Sequence, residues 1–245
     1  MSKKKFCALI LAAGKGTRMK SEKAKVLHRL GGKPLLHYSI EAAKAAGAEK
    51  IVAVIGHQAP EVRETFAGSG CLFVEQNPQL GTGHAVLQAK DVLSNYDGLT
   101  VILCGDVPLL KPATITSLIN DHVDGKAVVS VLTTVPPPPH AYGRIVKDQA
   151  GNVLKIVENK DATEEERKIG EINTGIYCVG TEFLFKALAN VTNHNQQKEY
   201  YLTDIVEIAV RTGLKVKSFI ASDYVEVMGI NTPEELARAE KHLLI

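Results

Sequence analysis

At 245 residues the chain is long enough to bury one large core or two small ones. Its 29 Lys and Arg against 27 Asp and Glu leave a formal net charge of +2, which excludes a global field for nucleic acid or a membrane surface and makes any basic character local. Four cysteines (Cys7, Cys71, Cys104, Cys178) stand in or beside apolar runs without a CxxC spacing, so they read as reduced core thiols in a reducing, cytoplasmic compartment rather than as metal or disulfide sites.

The basic start at 3–5 ahead of FCALILAA has the look of a signal peptide, but the apolar run is short and meets a basic glycine loop where a cleavage site should stand. A buried first strand over 6–11 explains it better. No run approaches the ~20 apolar residues of a membrane span. The stretch LILAAGKGTRMKSEKAK (9–25) then breaks from that strand into Gly14 and Gly16, with Lys15, Arg18, Lys20, Lys23 and Lys25 around the turn. Glycines let a ligand approach the backbone, and N–H groups with cations make an anion site suited to a polyphosphate. The alternative is a solvated basic loop. Neither the dinucleotide fingerprint nor the P-loop matches, because GKGTRM lacks the third glycine and the lysine-serine/threonine pair.

Gly31-Gly32 breaks the chain. Pro34 and Gly47 bracket a helix striped by Leu36, Ile40 and Ala43. IVAVI (51–55), CLFVE (71–75) and TVILCGD (100–106) read as buried strands, with helices from Thr82 through LQAKDVL and over 112–122, and a further strand over 127–133. Such alternation predicts an α/β fold with a mostly parallel sheet covered on both faces, whose ligands bind beyond the carboxyl ends of the strands. Gly14, Gln76 and Asp106 all fall just past strand ends, so they are expected on one edge. After the four prolines of 136–139 the organisation changes. GRIVKD and NVLKIVE read as a hairpin around 149–152, the charged 161–168 as an exposed loop or short helix, and 171–180 as a strand. Helices over 182–188 and 203–212 and a strand over 215–220 follow. Thr232 caps a last helix with Pro233 at its first position, running to about His242. There is no internal repeat and no clear domain linker.

Asp106 after VILCG suits Mg²⁺ opposite a phosphate, and equally suits a turn cap before Pro108. Asn231 in the turn GIN reads first as a turn asparagine. Gln76, beside Gly81-Thr82-Gly83, suits recognition of a base edge, since an amide offers both donor and acceptor. His28 and His84 lack metal-ligand partners at helical spacing and read as structural.

LILAAGKGTRM, KAKVLH, NPQLGTGHA, CGDVPLL, AYGRIV, IVENKDAT, EINTGIY, NHNQQKEYYLTDI and EVMGIN occur in this order over 9–231. Together they resemble the uridyltransferase half of the bifunctional GlmU family, N-acetylglucosamine-1-phosphate uridyltransferase. The first motif alone marks only the wider sugar-nucleotidyltransferase superfamily; LGTGHA, GDVPL, EINTG and EYYLTD are more specific. The resemblance implies a Rossmann-like nucleotide-diphospho-sugar transferase fold with a small β-rich sugar-binding subregion. Its nucleotide part would span about 1–135, its sugar part about 136–230 and a C-terminal helix 232–243. It implies a Mg²⁺-dependent transfer of uridylyl from UTP to N-acetyl-α-D-glucosamine 1-phosphate, for UDP-N-acetylglucosamine and cell wall precursor synthesis. By motif, Ala12, Ala13 and Gly14 contact the nucleotide and Lys15, Arg18 and Lys25 line the triphosphate, with Arg18 and Lys25 stabilising the reacting charge. Gln76, Gly81 and Thr82 hold uracil. Asp106 and Asn231 hold Mg²⁺, and Gly143, Glu158 and Asn173 hold the amino sugar. The competing readings are a nucleotidyltransferase for another sugar or base, a non-catalytic nucleotide-sugar sensor, and nucleic-acid binding; the last lacks a wide basic face with aromatics. The family's chain continues into a β-helix that acetylates glucosamine 1-phosphate and forms a trimer. This sequence ends at Ile245, so both are expected to be absent. The tetraproline run with His140 is unusual beside the sugar-side motif.

Overall fold

The computed structural model describes residues 4–93 and 95–243; of the residues read above, Lys3 and Ile245 lie outside them. The first strand, β1 (Phe6–Ala12), sends alternate side chains to two different cores. Phe6, Ala8 and Ile10 enter one, Cys7 and Leu9 the other. A strand apolar on both faces therefore has to lie inside a covered sheet, each buried Leu or Ile contributing about 1.5–3 kcal/mol.

The chain next makes a two-residue-per-strand hairpin, β2 (Arg29–Leu30) and β3 (Lys33–Pro34), turning on Gly31 and Gly32 at φ +53° and +81°. Helix α1 (Leu35–Ala46) ends on Gly47 at φ +91°, as its glycine predicts. Strand β4 (Lys50–Ile55), helix α2 (Ala59–Thr65), strand β5 (Leu72–Glu75), helices α3 (Thr82–Leu87) and α4 (Lys90–Leu93), strand β6 (Leu99–Cys104), helix α5 (Pro112–Asp124) and strand β7 (Val129–Thr134) follow. The helix expected to run unbroken from Thr82 is thus two. Gln88 N and Ala89 N bond three residues back, to Ala85 O and Val86 O, and this tightening ends α3. Helix α2 was not foreseen, because APEVRET buries only Ala59 and Val62 and shows no apolar stripe.

Beyond the prolines come β8 (Arg144–Lys147) and β9 (Val153–Val157), the expected hairpin. The charged segment forms α6 (Glu164–Arg167), started by a capping box between Thr163 and Glu166. Strand β10 (Ile172–Gly180), helices α7 (Thr181–Leu188) and α8 (Asp204–Arg211), strand β11 (Val216–Ile220) and helix α9 (Pro233–Leu243) complete the chain.

The sheet order is β11-β7-β10-β6-β1-β4-β5, with β8 pairing β10 and β9 pairing β8. Strands β6, β1, β4 and β5 run parallel to one another, as β11 does to β7. Strand β10 is antiparallel to both of its long neighbours. One face is covered by α1, α2 and α5 through Ile40, Val62 and Leu118; the other by α3, α7 and α8 through Val86, Leu184 and Ile205. No helix among the described residues is long and apolar enough to cross a membrane.

Register now fixes the edge where a ligand can sit. Leu11 pairs Cys104, Ala12 pairs Ile55 and Ile55 pairs Glu75, so the residues that follow all four strands emerge together. Because β10 runs the other way, with Tyr177 opposite Ile102, its beginning at Asn173 reaches the same edge.

Candidate active site

A cleft of about 940 Å³ opens at that edge. Ala12, Ala13, Gly14, Lys15, Lys25, Gln76, Gly81, Thr82 and Asp106 all line it. The strand ends thus bring together nine of the fourteen residues singled out from sequence.

The two loop glycines differ in kind. A Cβ at Gly14 would meet nothing within 4 Å, so the backbone there stays open to the cleft. Gly16 sits at φ +65°, and a Cβ there would lie 2.6 Å from Lys25 Cβ. The loop must fold tightly back on Lys25, which only glycine permits. Among the described residues the N–H groups of Gly14 and Lys15 find no acceptor, as an anion cradle requires. Lys20 and Lys23 do not line the cleft.

Lys25 is held between two distant oxygens. Its Nζ pairs with the Asp106 carboxylate and donates to Asn231 Oδ1 at 2.9 Å. Arg18 Nη2 donates to that same Asn231 oxygen at 2.9 Å. Arg18 and Asn231 therefore join the cluster although neither lines the cleft. The turn carrying Asn231 is anchored by Ile230 N donating to Asp106 O at 2.8 Å, and by Glu235, whose carboxylate accepts from Asn231 N at 2.6 Å. A Cβ on Gly229 would lie 3.3 Å from Asp106 Oδ2, so a small residue lets the turn settle on the carboxylate. A carboxylate and an amide oxygen converging on one cation are hard oxygen donors of the type Mg²⁺ takes, with phosphate oxygens and water supplying the rest. The residues present fit such a metal. Burial, with the nearby Asp106 carboxylate, pushes the Tyr142 phenol up to about 12, so it remains protonated beside the cluster.

The far wall is built by backbone. Tyr200 N donates to Leu80 O at 2.8 Å, and Gly83 N donates to Tyr200 O at 2.7 Å. A Cβ on Gly81, at φ +109°, would lie 2.6 Å from Tyr200 O. Leu202 N donates to Thr82 Oγ1 at 3.0 Å. The segment 199–204 is thus a strap over the 80–83 loop. It also reaches the other group of residues, because Thr203 Oγ1 donates to Glu158 Oε1 at 3.3 Å. Gly143, Glu158 and Asn173 gather there. Asn173 N donates to Gly143 O at 2.9 Å, and a Cβ on Gly143 would lie 3.5 Å from Glu158 Oε2. Burial pushes the Glu158 carboxyl up, with the Thr203 hydroxyl working against it.

Several site residues escaped the sequence reading. Gln79 Nε2 donates to Ala13 O at 2.5 Å and Gln58 Oε1 accepts from Ala24 N at 2.6 Å, pinning both ends of the basic loop. Cys104 lines the cleft and its thiol donates to Gly175 O at 3.5 Å. Burial pushes that thiol far up, so it is an inert filler and not a nucleophile. His84, read as structural, touches the Gln76 amide.

Residues 8–169 match the MobA-like NTP transferase domain family. The bifunctional protein GlmU of Geotalea daltonii is 50% identical over 236 residues, covering 96% of this chain and 52% of its own length. That of Desulfotalea psychrophila is 46% identical over 235 residues, covering 96% of this chain and 69% of its own length. The chain spans about half the length of the first of these curated relatives. A UDP-glucose pyrophosphorylase solved with UDP-glucose superposes with a TM-score of 0.77 at 18% identity, covering 98% of both chains, which establishes the shared fold.

Proposed function

The chain belongs to the GlmU family through its MobA-like NTP transferase domain, and from that premise we propose that it transfers the uridylyl group of UTP to N-acetyl-α-D-glucosamine 1-phosphate, releasing pyrophosphate. The observation that carries this reading is the convergence of Lys25, Arg18, Asp106 and Asn231 at the mouth of a glycine loop with free N–H groups.

The sugar phosphate is already an anionic nucleophile and needs no strong base. One of its oxygens forms a bond to the α-phosphorus in line, while the bond from that phosphorus to the bridging oxygen breaks and pyrophosphate departs with the electron pair. The obstacle is repulsion between anions, so positioning and charge stabilisation do the work. The Gly14–Lys15 backbone and the Lys15 side chain cradle the triphosphate. Lys25 and Arg18 stabilise charge around the α-phosphorus. Asp106 and Asn231 would hold Mg²⁺, which would supply neutralisation of phosphate charge. Gln76, Gly81 and Thr82 take the uracil. Gly143, Glu158 and Asn173 take the amino sugar, in keeping with a nucleotide part over about 1–135 and a sugar part over about 136–230.

The test is pyrophosphate release over a grid of four nucleoside triphosphates and several hexose and N-acetylhexosamine 1-phosphates, with and without Mg²⁺. The expected result is turnover confined to UTP with N-acetylglucosamine 1-phosphate and dependent on metal. Turnover favouring another sugar, or tight UDP-sugar binding without turnover, overturns it.

A further inference from the structure

Gln76 is nearly buried at the end of β5, and its amide nitrogen is spoken for twice. Gln76 Nε2 donates to Gly81 O at 2.9 Å and lies 3.0 Å from His84 Nδ1. A backbone carbonyl can only accept, so the Gly81 contact fixes which end of the amide faces the loop. His84 Nδ1 must then be the bare ring nitrogen, taking the second amide proton, with the ring hydrogen on Nε2. Burial favours the neutral ring that this arrangement needs. The Gln88 carboxamide lies 3.2 Å from Nε2; turned with its oxygen toward the ring it accepts that hydrogen and gives up the bond from its nitrogen to His84 O at 3.0 Å. With both Gln76 amide protons taken inside the protein, only Oε1 is left for the cleft that Gln76 lines, and no described group donates to it.

The geometry points to His84 as a positioning residue for base selection: its Nδ1, with Gly81 O, locks the Gln76 amide so that an acceptor meets the base. This deepens the proposed function and rests on it. Uracil offers a ring N–H at position 3 and matches an acceptor. Cytosine offers a bare nitrogen there and would need the amide turned over. Turning it would set Oε1 against Gly81 O, which can only accept, and would require the His84 ring hydrogen to move from Nε2 to Nδ1, so each adds to the cost of accepting cytosine. The tilted packing of His84 on Tyr200, ring centroids 6.5 Å apart, sets the imidazole against the strap that shapes the loop.

The experiment measures kcat and KM for UTP and CTP in the unaltered protein, His84→Leu, His84→Ala and His84→Asn, with thermal melting alongside. Asparagine can place an oxygen near the position of Nδ1; leucine and alanine cannot accept. One lost hydrogen bond corresponds to a fall of roughly three- to tenfold in the UTP-over-CTP preference. That fall is expected in His84→Leu and His84→Ala, carried by KM for the nucleotide, with the preference largely restored in His84→Asn. A merely structural histidine would depress UTP and CTP equally, and an unchanged preference in whichever of the leucine and alanine variants folds overturns the assignment. An unaltered protein that uses CTP as well as UTP also overturns it. One with no transferase activity overturns the proposed function together with this inference.

Discussion

Lys25 and Asp106, 81 residues apart, form an ion pair whose partners come from the basic loop after β1 and the turn after β6. Both side chains are mostly withdrawn from solvent, and Asn231 completes the contact from the other end of the chain. On the proposed function, the ammonium and the carboxylate arrive at the reaction already oriented. Losing a preorganised charge of this kind costs about 2.7–4 kcal/mol of transition-state stabilisation, on the order of 10²–10³ in kcat. Lys25→Ala and Asp106→Ala are each expected to lose turnover by that factor while circular dichroism and melting show a folded protein. Near-normal kcat in either variant removes these residues from the reaction.

Metal dependence can be read apart from turnover. Mg²⁺ takes few protein oxygens and relies on phosphate for the remainder. Chelation is expected to abolish pyrophosphate release and added Mg²⁺ to restore it. Binding of Mn²⁺ in the presence of UTP, followed by electron paramagnetic resonance, is expected to weaken about tenfold or more in Asp106→Asn and in Asn231→Ala. Unchanged Mn²⁺ affinity in both would place the metal elsewhere.

Gly81 and Gly14 should separate strain from access. Gly81→Ala forces a Cβ to 2.6 Å from Tyr200 O at a backbone angle of φ +109°. Strain of that kind costs about 1–3 kcal/mol. The variant is expected to melt lower and to bind nucleotide weakly, because the 80–83 loop and the strap must part. Gly14→Ala meets nothing within 4 Å in the folded chain, so its melting temperature should hold while its KM for nucleotide rises. Equal melting losses in the two variants would contradict this contrast.

The strand ends were legible because an apolar run closed by glycine and a charged residue marks both burial and its limit. That alone places Gly14, Gln76 and Asp106 on one edge. What escaped depends on pairing between distant segments. Nothing local in EINTGIYCVG says that β10 inserts antiparallel between β6 and β7, yet this reversal is what carries Asn173 to the same edge of the sheet as the cleft. The strap at 199–204 escaped for a different reason. Its hold on Leu80 and Gly83 is made by the Tyr200 backbone, and backbone hydrogen bonds leave no side-chain signature. His84 reads as structural in the sequence, and its contact with the Gln76 amide needs no spaced partner, only a neighbour brought by the turn. Arg18 and Asn231 show how far side-chain reach outruns spacing: they meet across 213 residues.

Asp204, where the strap enters the first turn of α8, gives a pH signature in stability. Burial first, then the Glu207 and Asp161 carboxylates, raise its pKa from 3.8 to about 6. The folded state thus holds this proton more tightly than the unfolded chain does. Its favourable contribution is full below the unfolded pKa and is lost as pH rises through about 6, so above that the ionised carboxylate weighs against folding. Each pKa unit is worth about 1.4 kcal/mol, whereas the α8 dipole returns only about 0.3–1 kcal/mol to a first-turn acid. Desolvation and like charge therefore win. Asp204→Asn is expected to raise stability by roughly 1–3 kcal/mol at pH 7.5, with the gain shrinking toward nothing near pH 4. Urea unfolding of both proteins at the two pH values measures it, and a gain of the same size at pH 4 and pH 7.5 would show that the aspartate is not strained by its charge.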